Sequence, residues 1–387
     1  MQRRSSRSGP GQLVIGAGAT GLVAAAELAR RGLRVRVVER RDGPSPLSRA
    51  VGILPMSMPL LRRLGVAERI AKEAVVIRRG TIFDGARPVA DIAMDLLDGR
   101  DMRLFSLPQD RTEAILAERL TEHGVEVEYG RAFEALEQDD GGVDVALADG
   151  ETGRFRHVLG ADGARSDVRA ALGIEPEGHA LATRWSIADI DVREPTEGVF
   201  RVHLLPDGNV IFAIPIGEHR LRVVATVPKA LDAVPIDLGV VHVRREGDFA
   251  IHVQQVPRYG EGRVWLAGDA AHTHSPVGGR GMNLGMADGA DWAARLAEGR
   301  LNGYSAARHA RGAQIIAFTE RVRKLVMRPD SFGRRAALRA LSWGSRLPAV
   351  RQRINRQVLL PGYDEAVHDE AVHDEAAYDE VVTGTAS

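Results

Sequence analysis

Three features of the sequence predict an α/β fold. From Leu13 to Glu39, LVIGAGATGLVAAAELARRGLRVRVVE reads as a strand, a G-x-G-x-x-G turn, an alanine-rich helix and a second strand. That is the order of a Rossmann-like nucleotide-binding unit. From Gly262 to Leu296 a short apolar strand ends in Gly268 and Asp269 and runs through a glycine loop into a helix. Between these stretches lie alternating apolar and polar runs punctuated by Asp-Gly turns, the signature of antiparallel sheet. The expected architecture is a Rossmann-like domain, a second mainly β domain that holds the substrate, and C-terminal helices. By segment, 13–74, 106–180 and 256–300 form a discontinuous nucleotide domain. Residues 75–105 and 181–255 form the substrate domain, and 301–360 the terminal helices. Residues 1–12 and 361–387 are expected to be a disordered arm and a disordered acidic tail.

A chain of 387 residues is long enough for two or three domains. The absence of cysteine excludes disulfides, thiolate metal sites and a cysteine nucleophile. Formal charge is zero, but eight of the 52 carboxylates lie after Pro361, where there is no Lys or Arg. The remainder is therefore basic by 8. All but three of the 52 basic residues are arginine, the lysines being Lys72, Lys229 and Lys324, which reads as coding bias rather than a nucleic-acid surface. Nucleic acid is not an expected partner. Arg3 and Arg4 ahead of the apolar run at Leu13 imitate a twin-arginine signal, but the glycine pattern inside that run argues against one, and the cytoplasm is the expected location. No apolar run of about 18 residues predicts a membrane span.

In chain order, Gly16, Gly18 and Gly21 let the backbone turn tightly and let a pyrophosphate approach the helix N-terminus. Glu39, 23 residues beyond Gly16, is placed to accept ribose hydroxyls. Arg49 falls in a loop before another helical stretch. Val75 to Phe105 becomes strand-like, with Asp84 and Gly85 as a hairpin turn. SLPQDRTEAILAERL returns to helix, with Thr112, Ile115, Leu116 and Leu120 on one side and Gln109 and Arg111 at its entrance. Val125 to Leu159 suits a three-stranded meander and ends in GADGARSDVR, where Asp162 and Gly163 repeat the motif of a carboxylate followed by glycine at a strand end. Several strands follow to His252, with a turn at Asp207 and Gly208. Then Asp269 closes a strand, Pro276, Gly278, Gly279 and Gly281 give a loop without side-chain bulk, and Leu284, Ala287, Ala290, Ala293 and Leu296 recur at helical spacing after Asn283. The free N–H groups of that helix carry roughly half a positive charge and favour an anion or an electron-rich ring edge. Trp343 is read as a packing residue. The tail YDEAVHDEAVHDEAAYDEVV repeats every five residues, a period of neither helix nor strand, and its His368 and His373 are not expected to form a metal site.

Taken together, GAGATG with Glu39, GADGARSDVR and GDAAHTHSPVGGRGMN resemble the FAD-dependent aromatic hydroxylases of the para-hydroxybenzoate and phenol hydroxylase type, over roughly residues 13–325. The resemblance implies that Gly16, Gly18 and Gly21 hold the FAD pyrophosphate, Glu39 the adenosine ribose and Arg40 the adenine side. By the same resemblance Arg49 also meets the pyrophosphate, and Gln109 and Arg111 the ribityl and phosphate region. Asp269 would bind the ribityl chain, and backbone around Pro276, Gly279, Gly281, Met282 and Asn283 would line the flavin ring. Asp162 is implied in both FAD and NAD(P)H binding. The chain departs from the family in reading DGADWAARL where DAxNLxWKL is common, which places Gly289, Asp291 and Ala294 at altered positions and should affect helix packing more than flavin chemistry. The interval from Asp162 to Asp269 is short, and no thioredoxin-like extension is expected after it.

The implied reaction is hydroxylation of a phenolic or polyketide-like aromatic compound. NADPH or NADH reduces FAD as a transient co-substrate, and dioxygen gives a flavin hydroperoxide whose distal oxygen attacks the ring. Phe212, Ile214 and Ile216 are either apolar walls that exclude water or plain core. His203, His242, His252 and His272 are available as a base, and the sequence does not choose among them, so no catalytic residue is assigned. Epoxidation, Baeyer-Villiger insertion and a flavin-binding protein without turnover stand as alternatives. Halogenation is disfavoured by the lack of a Trp-x-Trp-x-Ile-Pro stretch.

Overall fold

The computed structural model describes residues 11–45, 49–94, 103–329, 332–344, 347 and 350. The basic arm up to residue 10 and the acidic tail, with His368 and His373, lie outside the described residues.

The first sheet has six strands, in spatial order Gly260–Glu261, Val264–Leu266, His157–Gly160, Gln12–Ile15, Val35–Glu39 and Val127–Tyr129. All neighbours are parallel except at the Gly260–Glu261 edge. Parallel strands covered on both faces must be apolar throughout, and Leu13, Val14, Val37, Val38, Val158, Leu159, Val264 and Leu266 are all buried. The first strand begins at Gln12, one residue before the expected start, because Gln12 pairs with both Val35 and His157.

Ala19–Arg30, from the first glycine turn, packs on this sheet, and Gly281–Ala297, from the glycine loop, packs on Ala19–Arg30. The second begins two residues before Asn283. Its small residues permit the close crossing: a Cβ on Gly285 would lie 2.4 Å from Thr20 Oγ1, and one on Gly289 2.4 Å from the Thr20 carbonyl oxygen. The departure at Gly289 therefore has a packing cause.

The meander appears as Phe133–Asp139, Gly142–Leu147 and Thr152–Phe155, a separate antiparallel sheet. The runs flanking it, Val127–Tyr129 and His157–Gly160, are recruited to the parallel sheet instead. Similarly, Val75–Ile77 is not a strand of the seven-stranded sheet, although Ile77 packs with Ile92 and Phe200 of it. Val75–Ile77 pairs with Leu104–Ser106, which also pairs with Gly52–Ile53.

The second sheet has seven strands, in the order Val240–Phe249, Trp185–Val192, Arg220–Ala225, Val210–Gly217, Val199–Leu204, Arg79–Asp84 and Arg87–Ala93. Its neighbours are antiparallel except for Val199–Leu204 beside Arg79–Asp84. Both expected Asp-Gly turns are present, with Gly85 at φ 59° and Gly208 at φ 88°, a left-handed conformation that glycine adopts without strain. One face of this sheet is covered by the segment containing Ala230, Leu231 and Val234. The other carries Trp185, Phe212 and Val224 and meets Val277 of the glycine loop.

Two further helices, Tyr304–Val326 and Phe332–Gly344, complete the described chain. Val322, Val326 and Leu338 add to the apolar cluster around Trp185. Trp343, by contrast, is 75% exposed, since the inward side of its helix is taken by Leu338 and Arg334. No described helix is long and apolar enough to cross a membrane.

Candidate active site

The first glycine turn is a cradle that side chains would fill. Gly16 adopts φ 107°, and a Cβ there would fall 2.3 Å from the Ala161 carbonyl oxygen, while one on Gly21 would fall 2.0 Å from the Gly16 carbonyl oxygen. Gly18 faces more open space, its nearest neighbour being Glu113 Oε1 at 3.7 Å from a notional Cβ. Glu39 closes the turn by accepting from the Ala17 N–H at 2.8 Å. Burial opposes its ionisation, but the Arg41 guanidinium and the Ala17 and Arg41 amides hold its carboxyl below the usual range. Glu113, from the distant helix Gln109–Glu122, accepts from the Ala19 N–H at 3.2 Å and from Gln109 Nε2 at 2.8 Å. Burial pushes its carboxyl up. No local signal marks Glu113, because the contact spans two helices far apart in the chain.

Asp269 sits at the carboxyl end of Val264–Leu266, in the short turn Gly268–Ala270. Its side chain opens to solvent, yet protein surrounds it closely enough to raise its carboxyl, against the pull of His272 and Arg49. Beneath the turn lies a buried ionic cluster. Asp288 Oδ2 accepts from the Gly268 N–H at 3.0 Å and lies 2.6 Å from His272 Nε2, while its Oδ1 accepts from Arg308 Nε at 2.6 Å. Burial opposes the charge on Asp288, but Arg308, His272 and the Gly268 amide hold its carboxyl below the usual range. His272 is thus structural, and Asp288 and Arg308 fix the turn that presents Asp269.

Asn283 uses its whole side-chain amide on the scaffold. Oδ1 accepts from the Leu54 N–H at 2.9 Å and the Ser57 hydroxyl at 2.8 Å. Nδ2 donates to the Gly52 and Gly279 carbonyls at 2.9 and 3.0 Å. This ties the strand after Arg49 to the glycine loop and leaves only Asn283 backbone for a ligand. Pro276 and Gly279 are exposed, Gly281 is half-buried and Met282 is buried. Gly279 adopts φ 62° with nothing within 4 Å of a notional Cβ, so that side of the loop is open to a flat group.

The remaining expected contacts divide. Arg49 is exposed, its guanidinium 5.6 Å from the Phe249 ring centroid, and its charge reaches Asp269. Gln109 bridges Glu113 and the Ala50 N–H, at 2.8 and 3.4 Å. Arg111 is committed to Glu73, with Nη2 to Oε1 at 2.8 Å, and pulls that carboxyl down to about 2. Arg40 is exposed and lies 3.5 Å from Asp167. Asp162 Oδ2 accepts from the Asp167 and Val168 N–H groups at 2.8 and 3.1 Å, so it caps the short helix Asp167–Ala171, while its buried Oδ1 has no partner. Arg169 in the same motif donates to the carbonyls of Ala164 and Ala270 at 3.0 and 3.1 Å, linking this loop to the Asp269 turn.

The second sheet presents an apolar face toward the glycine loop, where Val277 joins it. Trp185, Phe212 and Phe200 lie nearly parallel across this face, with centroids 6.1 and 6.0 Å apart. Phe212 and Ile214 are half-buried and Ile216 is buried. Of the four expected histidines, His242 and His252 are exposed and His203 and His272 are buried. His203 Nδ1 bonds to the Gly85 carbonyl at 3.0 Å. His274 was not anticipated. Its Nδ1 bonds to the Ser275 carbonyl at 2.8 Å, its Nε2 is buried without a partner, and burial pushes its pKa down to about 4. Among the described residues no group of three His, Cys, Asp or Glu could hold a metal ion.

These features fit an extended dinucleotide: a side-chain-free cradle at a helix N-terminus, an acceptor oxygen on Asp162 left unused, a carboxylate open to the cleft at Asp269, and a bare backbone edge at Gly279. Comparison with known proteins agrees. The family model described as FAD binding domain matches residues 12–228 and 222–319. Rifampicin monooxygenase of Streptomyces venezuelae is 34% identical over 331 residues, which is 79% of this chain and 69% of that protein. The 12-dehydrotetracycline 5-monooxygenase/anhydrotetracycline 6-monooxygenase of Streptomyces rimosus is 33% identical over 306 residues, 71% of this chain and 60% of that protein. The crystal structure of p-nitrophenol 4-monooxygenase from Pseudomonas putida superposes with a TM-score of 0.81 at 23% identity, over 90% of this chain and 98% of that one, and shows the shared fold.

Proposed function

Because the chain belongs to the FAD-binding-domain family of flavin-dependent monooxygenases, we propose that it uses NAD(P)H and dioxygen to hydroxylate an aromatic small molecule of the phenolic or polyketide type. The observation that carries this reading is the packing of Val277, in the glycine loop with the open Gly279 edge, against the Phe212 face of the second sheet. Bound FAD supplies two-electron chemistry with the nicotinamide and the activation of dioxygen.

Gly16, Gly18, Gly21 and the N-terminus of Ala19–Arg30 hold the pyrophosphate, with Arg49 as the counter-charge. Glu39 takes the adenosine ribose, with Arg40 toward the adenine, and Asp269 takes the ribityl chain. Pro276, Gly279, Gly281, Met282 and Asn283 line the ring through backbone, and the N-terminus of Gly281–Ala297 favours negative charge at the ring edge by up to about 2 kcal/mol. Gln109 and Asp162 serve this site at one remove, by holding Glu113 and the Asp167–Ala171 helix. Arg111 acts as a partner of Glu73. The apolar face bearing Phe212 and Ile214 excludes water from the reacting ring. His274, neutral at ordinary pH with its Nδ1 toward Ser275, offers Nε2 as an acceptor beside the glycine loop. The cytoplasm, where reduced nicotinamide is available, is the proposed place of work.

The test is to screen phenols and polyketide-like aromatics with the FAD-loaded protein, NADPH and air. Substrate-stimulated NADPH oxidation with a product heavier by one oxygen atom supports the reading. NADPH oxidation that no aromatic compound in a broad panel stimulates would favour a binding protein without turnover.

A further inference from the structure

Glu113 stands at the edge of the first glycine turn. The helix Ala19–Arg30 has no side-chain cap at Gly18 and no acidic residue in its first turn. Its first N–H, at Ala19, is taken instead by Glu113 Oε1 at 3.2 Å, from a residue 94 positions away. The same oxygen is the nearest atom to a notional Cβ on Gly18, at 3.7 Å, so the carboxylate borders the open side of the cradle. Oε1 also accepts from Gln109 Nε2 at 2.8 Å, while Oε2 accepts no hydrogen bond among the described residues. The residue is 6% exposed.

The N–H groups of this helix end are the donors that a pyrophosphate needs. A dinucleotide brings two negative charges to a site that already holds a carboxylate, and anions that share one site oppose each other's ionisation. The charged and titratable groups that face Glu113 are Glu39 and Arg41, which follow one strand of the parallel sheet, and Tyr129, which ends its neighbour. Arg41 donates to Glu39 from Nε at 3.0 Å and from Nη2 at 3.1 Å, so its charge is already shared with a second carboxylate. Arg111, on the same helix as Glu113, is held by Glu73. Burial favours the neutral form of Glu113, against the pull of Gln109, Arg41 and the Ala19 amide. A neutral carboxyl removes the conflict, since Oε1 keeps both of its donors and a proton on Oε2 can donate to a phosphate oxygen.

We propose that Glu113 belongs to the pyrophosphate site and takes up one proton from solvent when FAD enters, so that it meets the cofactor as a neutral acid. The proposal rests on the reading that the first glycine turn holds the FAD pyrophosphate. A proton gained on binding makes FAD affinity fall as pH rises, by up to about tenfold per pH unit.

Full-length protein stripped of flavin is titrated with FAD from about pH 5.5 to about pH 8.5, a range in which FAD itself does not titrate. Fluorescence gives Kd, and calorimetry in two buffers of different ionisation heat counts protons. For the parent, the expected result is a Kd at least about tenfold higher at the alkaline end, with net uptake approaching one proton per FAD. Glu113→Gln keeps an acceptor for the Ala19 N–H and carries no charge. Its Kd is expected to vary by less than about threefold over the same range, without proton uptake, and at the alkaline end to be no weaker than the parent's. A parent that binds FAD with neither pH dependence nor proton uptake would overturn the proposal and leave cofactor binding intact, whether or not the variant folds. A pH slope that persists in Glu113→Gln would also sink it, and would assign the proton to another carboxyl such as Asp269. Failure of the parent to bind FAD at any pH would remove both the proposal and the cofactor reading beneath it.

Discussion

Arg222 and Asp189 face each other on adjacent strands of the second sheet, buried, with Nε to Oδ1 at 2.7 Å and Nη2 to Oδ2 at 2.8 Å. The third nitrogen of the same guanidinium, Nη1, donates to the backbone carbonyl of Arg49 at 3.2 Å. One buried fork thus joins the second sheet to the loop of Arg49, whose charge reaches Asp269. Asp189→Ala leaves that cation without its carboxylate, and loss of one partner of a buried pair costs about 3 to 5 kcal/mol. Urea unfolding should show a drop of that order. A change below about 0.5 kcal/mol, the range of ordinary surface substitutions, would contradict the buried pairing.

Arg49 itself is exposed, so its removal should act on binding more than on folding. Arg49→Ala is expected to weaken FAD by roughly ten- to a hundredfold, the loss of a charge-assisted hydrogen bond of about 1.5 to 3 kcal/mol. Flavin fluorescence titration measures it. Equal affinity in variant and parent would remove Arg49 from the cofactor site.

Asp269→Ala should purify largely without flavin, because the exposed carboxylate just beyond Val264–Leu266 is lost. The ratio of flavin to protein absorbance reports this directly. A fully loaded variant would refute the ribityl role.

Gly289→Ala places a methyl group 2.4 Å from the Thr20 carbonyl oxygen, so the two central helices must separate. Overpacking of this kind costs about 1 to 3 kcal/mol. Denaturant unfolding of the variant with stability equal to the parent would show that the crossing is looser than described.

The Asp288 cluster predicts an acid limb of stability. The folded-state carboxyl is held below its unfolded value, so its contribution is complete above about pH 4 and is lost as pH falls through the lower folded-state value. Asp288→Asn should therefore be less stable than the parent at neutral pH, and the difference should shrink on acidification below about pH 4. Urea midpoints measured across that range check it. A difference that stays constant down to the lowest accessible pH would mean that the charge on Asp288 contributes nothing.

Much of this was legible in the sequence because the signals are local. The glycine spacing from Gly16 to Gly21, Glu39 after its strand, the Asp-Gly turns and the loop into Gly281–Ala297 each depend on residues close in the chain. What was not legible depends on pairs brought together from afar. Glu113 meets Ala19 across 94 positions, and Arg222 meets Asp189 across 33. Arg111 has the right place in the sequence for a phosphate contact, but Glu73, 38 positions away, holds its guanidinium. Trp343 reads as a packing residue in the sequence; its exposure is decided by which helix face the sheet covers, and the sheet covers the side bearing Leu338. Gly289 stood out as a departure, and only the position of Thr20 explains it.

The most direct measurement is reconstitution of the purified, folded protein with FAD, followed by flavin absorbance and fluorescence. The account predicts a yellow protein that binds about one FAD per chain and loses it on Asp269→Ala. Folded protein that stays colourless and takes up no FAD would contradict the central claim, and the monooxygenase reading with it.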